Sequence, residues 1–77
     1  MILRMEFDRE ADAIYLYFTN EPVAYTKKLD DMRYIDYASD DTPVGVELLC
    51  VSDGVDMHDL PQSEEISRLL GDKNIKI

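Results

Sequence analysis

The chain has 77 residues, with 17 Asp and Glu against eight Lys and Arg, for a net charge of −9. That length excludes a second ordinary domain, and the acid excess argues against the isolated chain gripping a phosphate backbone. No apolar run approaches the roughly 18 residues of a membrane span, and no secretory leader pattern opens the sequence.

Residues Met1 to Asp8 alternate, with Leu3, Met5 and Phe7 on one parity and Arg4, Glu6 and Asp8 on the other. That is the period of a half-buried strand. Asp8 to Asp12 interrupts it with polar, turn-prone residues. Ala13 to Thr19 resumes it: Ile14, Leu16 and Phe18 point one way, Tyr15 and Tyr17 the other. β-branched and aromatic residues on both faces predict a central strand. Asn20-Glu21-Pro22 marks a turn. Val23 to Leu29 is a third strand, and Lys27 and Lys28 suit an edge.

Asp30-Asp31 reads as a tight connection, and Met32 to Ala38 as a fourth strand. Ser39 to Pro43 is a hairpin loop. In the fifth strand Val44, Val46, Leu48 and Cys50 alternate with Gly45, Glu47, Leu49 and Val51. Val51 to Leu60 shows no period. A helix is predicted from Asp59 as cap, with Pro61 in its first turn and Gln62 three residues after the cap. Glu64 and Glu65 lie near its positive end, Ile66, Leu69 and Leu70 form one apolar stripe, and Gly71 is the expected stop. Ile75 and Ile77 are read as a short strand at a sheet edge.

Short loops between successive strands imply an antiparallel β-meander of about five strands, with one C-terminal helix packed on one face. This is a single α+β domain over 1–77. Area scaling gives a folded surface of roughly 4,800 Å², so only about 60% of the chain's surface is buried. A core that small favours a homo-oligomer, with a dimer the simplest closed form. The single cysteine, Cys50, cannot form a disulfide within its chain, which points to a reducing cytoplasm. In an apolar strand it reads as a buried, inert thiol.

Two segments carry a family resemblance. Asp8-Arg9-Glu10-Ala11-Asp12-Ala13-Ile14-Tyr15 resembles a D-x-x-A-D-A-hydrophobic-Y opening, and Asp36-Tyr37, an acidic turn and Val44-Gly45-Val46-Glu47-Leu48-Leu49 resemble a D-Y-D-x-x-G-x-hydrophobic-V-G-I-E-I-L segment. Leu60 to Ile66 is similar to the ending of longer members. Together they resemble a small prokaryotic family of unknown function, DUF2283. One departure is visible: Thr42-Pro43 stands where the family has a turn glycine, which bears on the hairpin type. The resemblance carries no catalytic residue and implies a partner-binding or antitoxin-like role.

The acids at Asp8, Glu10 and Asp12 read first as turn chemistry, with a metal or a basic partner as the functional alternative. Asp36 and Glu47 lie within strands; they either share a site or face solvent and pair with Arg33, Lys27 or Lys28. Asp53, Asp56 and His58 sit in the loop before the helix, but lack the spacing of a calcium loop and the ligand count of a zinc site. No nucleophile elbow or phosphate-cradling loop is present.

The tyrosines point elsewhere. With Ile14, Leu16 and Phe18 under the helix, Tyr15 and Tyr17 face away from it, joined by Tyr34 and Leu49. Such a face is an interface candidate. The sequence therefore leads to a non-catalytic protein-binding or self-associating domain without cofactor or metal. Asp8, Glu10, Asp12, Asp40 and Asp41 would steer a basic partner. The alternative is a small enzyme or divalent-metal protein built on the carboxylates.

Overall fold

A computed structural model describes all 77 residues. Five strands come first: β1 (Arg4–Asp8), β2 (Ala13–Tyr17), β3 (Tyr25–Asp30), β4 (Arg33–Tyr37) and β5 (Pro43–Leu49). A short 3-10 turn (Val51–Asp53) and one helix, α1 (Ser63–Asp72), follow. All strand pairs are antiparallel, as expected, and the folded surface of 4977 Å² is close to the scaling value.

The spatial order is β1-β2-β5-β4-β3, so β5 lies at the centre of the sheet and β1 and β3 are its edges. β1 and β2 form one hairpin, and β3, β4 and β5 form a three-strand meander. The β2–β3 connection is the one link that skips neighbours. It leaves past the start of β5, where Phe18 and Thr19 N–H both donate to Val44 O. It arrives beside the end of β4, where Ala24 N–H donates to Tyr37 O. Strands β2 to β5 thus have the order of a Greek key.

Alternation sorts the side chains as the sequence implies. Ile14 and Leu16 of β2, Phe18 just after it, Ile35 of β4, and Val44, Val46 and Leu48 of β5 are buried on one face. Helix α1 seals that face with Ile66 and Leu70, both fully buried, while Leu69 is only half-buried. The stretch read as aperiodic contributes three more core residues, Val51, Val55 and Leu60. They enter singly from turns, which leaves no period to detect.

Four local readings are corrected. Cys50 is exposed rather than buried. Its left-handed backbone (φ 53°) swings the chain off the β5 line, so Val51 drops into the core in its place. The helix starts after Gln62, not at Asp59, and has no side-chain cap. Asp59 sits in a left-handed turn (φ 63°) that turns it outward while its neighbour Leu60 is buried. Gly71 lies inside the helix, and the stop is Asn74 (φ 58°). There Asn74 N–H donates to Gly71 O and Ile75 N–H to Leu70 O, the paired bonds of a Schellman cap. Ile75 and Ile77 therefore form no strand; Lys76 O instead accepts from Val55 N–H at 2.9 Å.

The turn lacking the family's glycine is served by Asp41, which takes the left-handed position (φ 68°). Asp tolerates that region better than most side chains.

Candidate functional site

The face opposite α1 is covered by no element. Register assigns its side chains row by row. One row runs Glu6, Tyr15, Glu47, Tyr34, Lys28 across β1, β2, β5, β4 and β3. The next runs Arg4, Tyr17, Gly45, Asp36, Thr26. Tyr15, Tyr17, Tyr34 and Leu49, the four residues expected on this face, are all there and all half-buried.

The rings are held in place by polar bonds. Tyr15 OH donates to Asp36 Oδ2 at 2.5 Å, crossing β5 to reach it. It passes over Gly45: a Cβ there would lie 2.6 Å from Tyr15 Cε1, closer than real contacts allow. The glycine is needed because an aromatic ring occupies the space above it. Thr26 Oγ1 donates to the other Asp36 oxygen, so both carboxylate oxygens are engaged. Tyr17 OH donates to Glu6 Oε1 at 2.5 Å, and the Arg4 guanidinium stacks 4.1 Å from the Tyr17 ring centre. Tyr15 and Tyr17 pack with ring centres 4.5 Å apart. Tyr34 has no such bond.

These contacts set the electrostatics. Burial pushes the Tyr15 hydroxyl well above the usual phenol range, and the bond and charge of Asp36 push it further. At one edge of the sheet Tyr25 OH donates to Asp41 Oδ1 at 2.5 Å. That bond, more than burial, raises Tyr25 to about 12. In a chain short of cations, three tyrosine hydroxyls serve as donors to carboxylates.

Asp36 and Glu47 are on neighbouring strands and the same face, one pair apart: Asp36 is opposite Gly45 and Glu47 opposite Tyr34. Neither forms an ion pair with Arg33, Lys27 or Lys28. Lys28 binds Asp31 at 2.9 Å, and Arg33 is buried on the other face. Between Phe7, Ala11, Ala13 and Leu49 a shallow hollow of about 500 Å³ opens, with Glu6 and Glu47 at its rim.

The turn acids are largely engaged locally. Asp8 Oδ1 accepts from Glu10 and Ala11 N–H. Asp12 (φ 55°) accepts from Ser52 N–H at 3.0 Å and Ser52 Oγ at 2.6 Å, tying the first hairpin to the 3-10 turn. Asp40 accepts from Thr42 N–H and Oγ1, which holds its carboxyl below the usual range. Glu10 is exposed. The two acidic turns lie at opposite ends of the strands, since Ala13 pairs with Leu49 while the second turn precedes Pro43. They do not form one surface.

Arg33, read in the sequence only as a solvent-side partner of Asp36 or Glu47, has a buried role that the sequence reading missed. It shares the inward parity of Ile35, and its side chain is 10% exposed. The guanidinium binds Asp30 at 2.8–2.9 Å and donates to the backbone O of Asp56 and of His58. The loop carrying Asp53, Asp56 and His58 is thereby pinned to the sheet. Asp30 is held below the usual carboxylate range, mainly by the Arg33 hydrogen bond. No three His, Cys, Asp or Glu side chains converge in metal-binding geometry. A signal was available: an arginine at an inward position of a strand needs buried partners.

A five-stranded antiparallel sheet closed on one side by a single helix defines a small α+β domain. The family described as "Protein of unknown function (DUF2283)" matches residues 4–52, which hold all five strands and stop before α1, and the chain belongs to that family. No curated protein and no solved structure matches the chain. No helix is long and apolar enough to cross a membrane.

Proposed function

We propose that this is a non-catalytic protein-binding domain whose working surface is the open face of the sheet. One observation carries the reading. A single helix covers one face of five strands, and the other presents Tyr15, Tyr17, Tyr34 and Leu49 with nothing over them. Tyrosines of this kind are favoured in interfaces, because a rigid ring supplies area and its hydroxyl supplies a bond. The edges are poorer candidates. β3 presents Lys27 and Lys28, and β1 presents Arg4, Glu6 and Asp8, charges that discourage strand addition.

The acid excess favours a basic partner as one occupant, in the manner of an antitoxin, steered by Asp8, Glu10 and Asp12 at one end and Asp40 and Asp41 at the other. Such a complex weakens as salt is added. The lone thiol Cys50, exposed and without a second cysteine, fits a reducing cytoplasm. An enzyme or metal role on Asp36, Glu47, Asp53, Asp56 and His58 has less support, since Asp36 is committed to Tyr15 and Thr26, and the loop carbonyls to Arg33.

The test is retention. Tagged wild-type chain and a Tyr34→Ser/Leu49→Ser variant are expressed in the native cell with untagged chain. Proteins held by the wild type and lost from the variant, untagged copies included, support the reading. Equal retention by both overturns it.

A further inference from the structure

We infer that the occupant of the open face is a second copy of this chain, docked sheet to sheet about a two-fold axis that runs along β5. The inference rests on the open face being the binding surface and adds what binds there. It comes from the row across the middle of that face. Read from β1 to β3 it is acid, tyrosine, acid, tyrosine, base: Glu6, Tyr15, Glu47, Tyr34, Lys28. Glu47 stands on the central strand, with two strands on either side.

Sheets that pack face to face keep their strand directions roughly aligned. Two in-plane two-fold axes satisfy that. An axis across the strands at this row sets each residue against its own copy. Glu6 then meets Glu6, Glu47 meets Glu47 and Lys28 meets Lys28, three like-charge contacts; set midway to the next row, the same axis pairs Glu6 with Arg4 but leaves Lys28 against Thr26 and without an acid. An axis along β5 instead reverses the row. Glu6 meets Lys28 of the second copy, and Tyr15 meets its Tyr34, each pair occurring twice. Only Glu47 faces its own kind. The complementarity belongs to the arrangement of one row, so the second copy needs no surface of different chemistry.

The second row fits the same axis. Arg4 faces Thr26, and Tyr17 faces Asp36, with no like charges opposed. The unbonded Tyr34 hydroxyl is brought over the Tyr15 ring, and hydroxyl-to-ring and ring-to-ring contacts are both favourable there. Five strands about 4.8 Å apart and five residues rising about 3.3 Å each give a face about 20 by 17 Å. That is small for a permanent dimer and fits a weak, transient association. Two chains that each carry a charge of −9 also repel at long range. Salt therefore strengthens this dimer, the reverse of its effect on a complex with a basic partner.

Charge exchange tests the axis. Sedimentation equilibrium is run on wild type, Glu6→Lys, Lys28→Glu, the double exchange, Glu47→Gln and Leu49→Asp, over a micromolar concentration series at one low and one high salt concentration. Glu6→Lys reduces the acid excess, which alone would favour association, yet it is expected to weaken the dimer about tenfold by opposing two lysines. Lys28→Glu weakens it similarly, and the double exchange restores it to within about twofold. Glu47→Gln tightens it. Circular dichroism melting confirms that each variant is folded, since Glu6, Lys28 and Glu47 are all exposed.

The outcomes separate the two claims. A wild type that is monomeric throughout, at low and high salt, overturns the second-copy inference and leaves the binding face to another protein. A dimer lost in Leu49→Asp but not restored by the double exchange overturns this axis and keeps the face. A dimer that none of the five variants disturbs lies elsewhere, which overturns the second-copy inference and leaves the binding face to another protein.

Discussion

The two faces of the sheet are built from the same strands, by alternate residues, yet they are organised by different forces. On the covered face Ile14, Leu16, Ile35, Val46 and Leu48 are at most 2% exposed and meet Ile66 and Leu70 of α1. Shape and exclusion of water hold that side together. On the open face half-buried rings are fixed by hydroxyl-to-carboxylate bonds, an arginine stack and one glycine. β5 shows the division most directly, with Val44, Val46 and Leu48 inward and Gly45, Glu47 and Leu49 outward. The lesson is that most of the stability resides on one side, while the other is held by a few polar bonds between exposed strands.

Leucines on the two sides give the largest contrast. Leu16→Ala, at a fully buried site, is expected to lower the unfolding free energy by about 3 kcal/mol, and Leu49→Ala by under about 1 kcal/mol. Urea denaturation reads both, and equal losses would abolish the distinction between the faces. Next comes Arg33→Met, which keeps bulk but strips Asp56 O and His58 O of their donor. A loss of about 2 kcal/mol is expected. Amide exchange localises it: residues 55–60 should lose protection before the strands do.

Gly45→Ala comes third, at about 1–2 kcal/mol, because the new methyl collides with the Tyr15 ring. In a Tyr15→Ala background the same change becomes nearly neutral. A double-mutant cycle without coupling would mean that the ring does not depend on the glycine.

Titration probes the faces more gently. Tyr15 has a raised folded pKa, so its contribution is complete below its ordinary value near 10 and is lost as pH rises through the folded one. Tyr15→Phe should flatten the alkaline fall in stability above about pH 10. Asp30 is depressed by Arg33, so its contribution is present above the ordinary value near 4 and is lost as pH falls through the folded one. Asp30→Asn should flatten the acid limb, the smallest of these effects. Melting temperature against pH follows both.

Much of the fold was legible because a sheet covered on one side writes its faces into alternate residues. The parity of Ile14, Leu16 and Phe18 against Tyr15 and Tyr17 was enough to separate core from candidate site. What alternation does not encode is which strand lies beside which, so the β2–β5 adjacency was not readable. Left-handed positions at Cys50, Asp59 and Asn74 were equally silent, since none is a glycine. Cys50 and Asn74 stop β5 and α1 away from the expected points, while the turn at Asp59 delays the helix until after Gln62. The Tyr15–Gly45–Asp36 arrangement joins three strands through register, and no local pattern contains it. The turn acids were legible as turn chemistry, but not as two separate ends of the molecule.

The central position of β5 has a consequence for assembly during synthesis. The strand in the middle of the sheet is the last of the five to be made. Before it emerges, the β1–β2 and β3–β4 hairpins have no shared neighbour, and isolated hairpins are marginal in water. A nascent chain ending before Pro43 therefore lacks the strand that pairs with both hairpins, and the five-stranded sheet closes only once β5 is made.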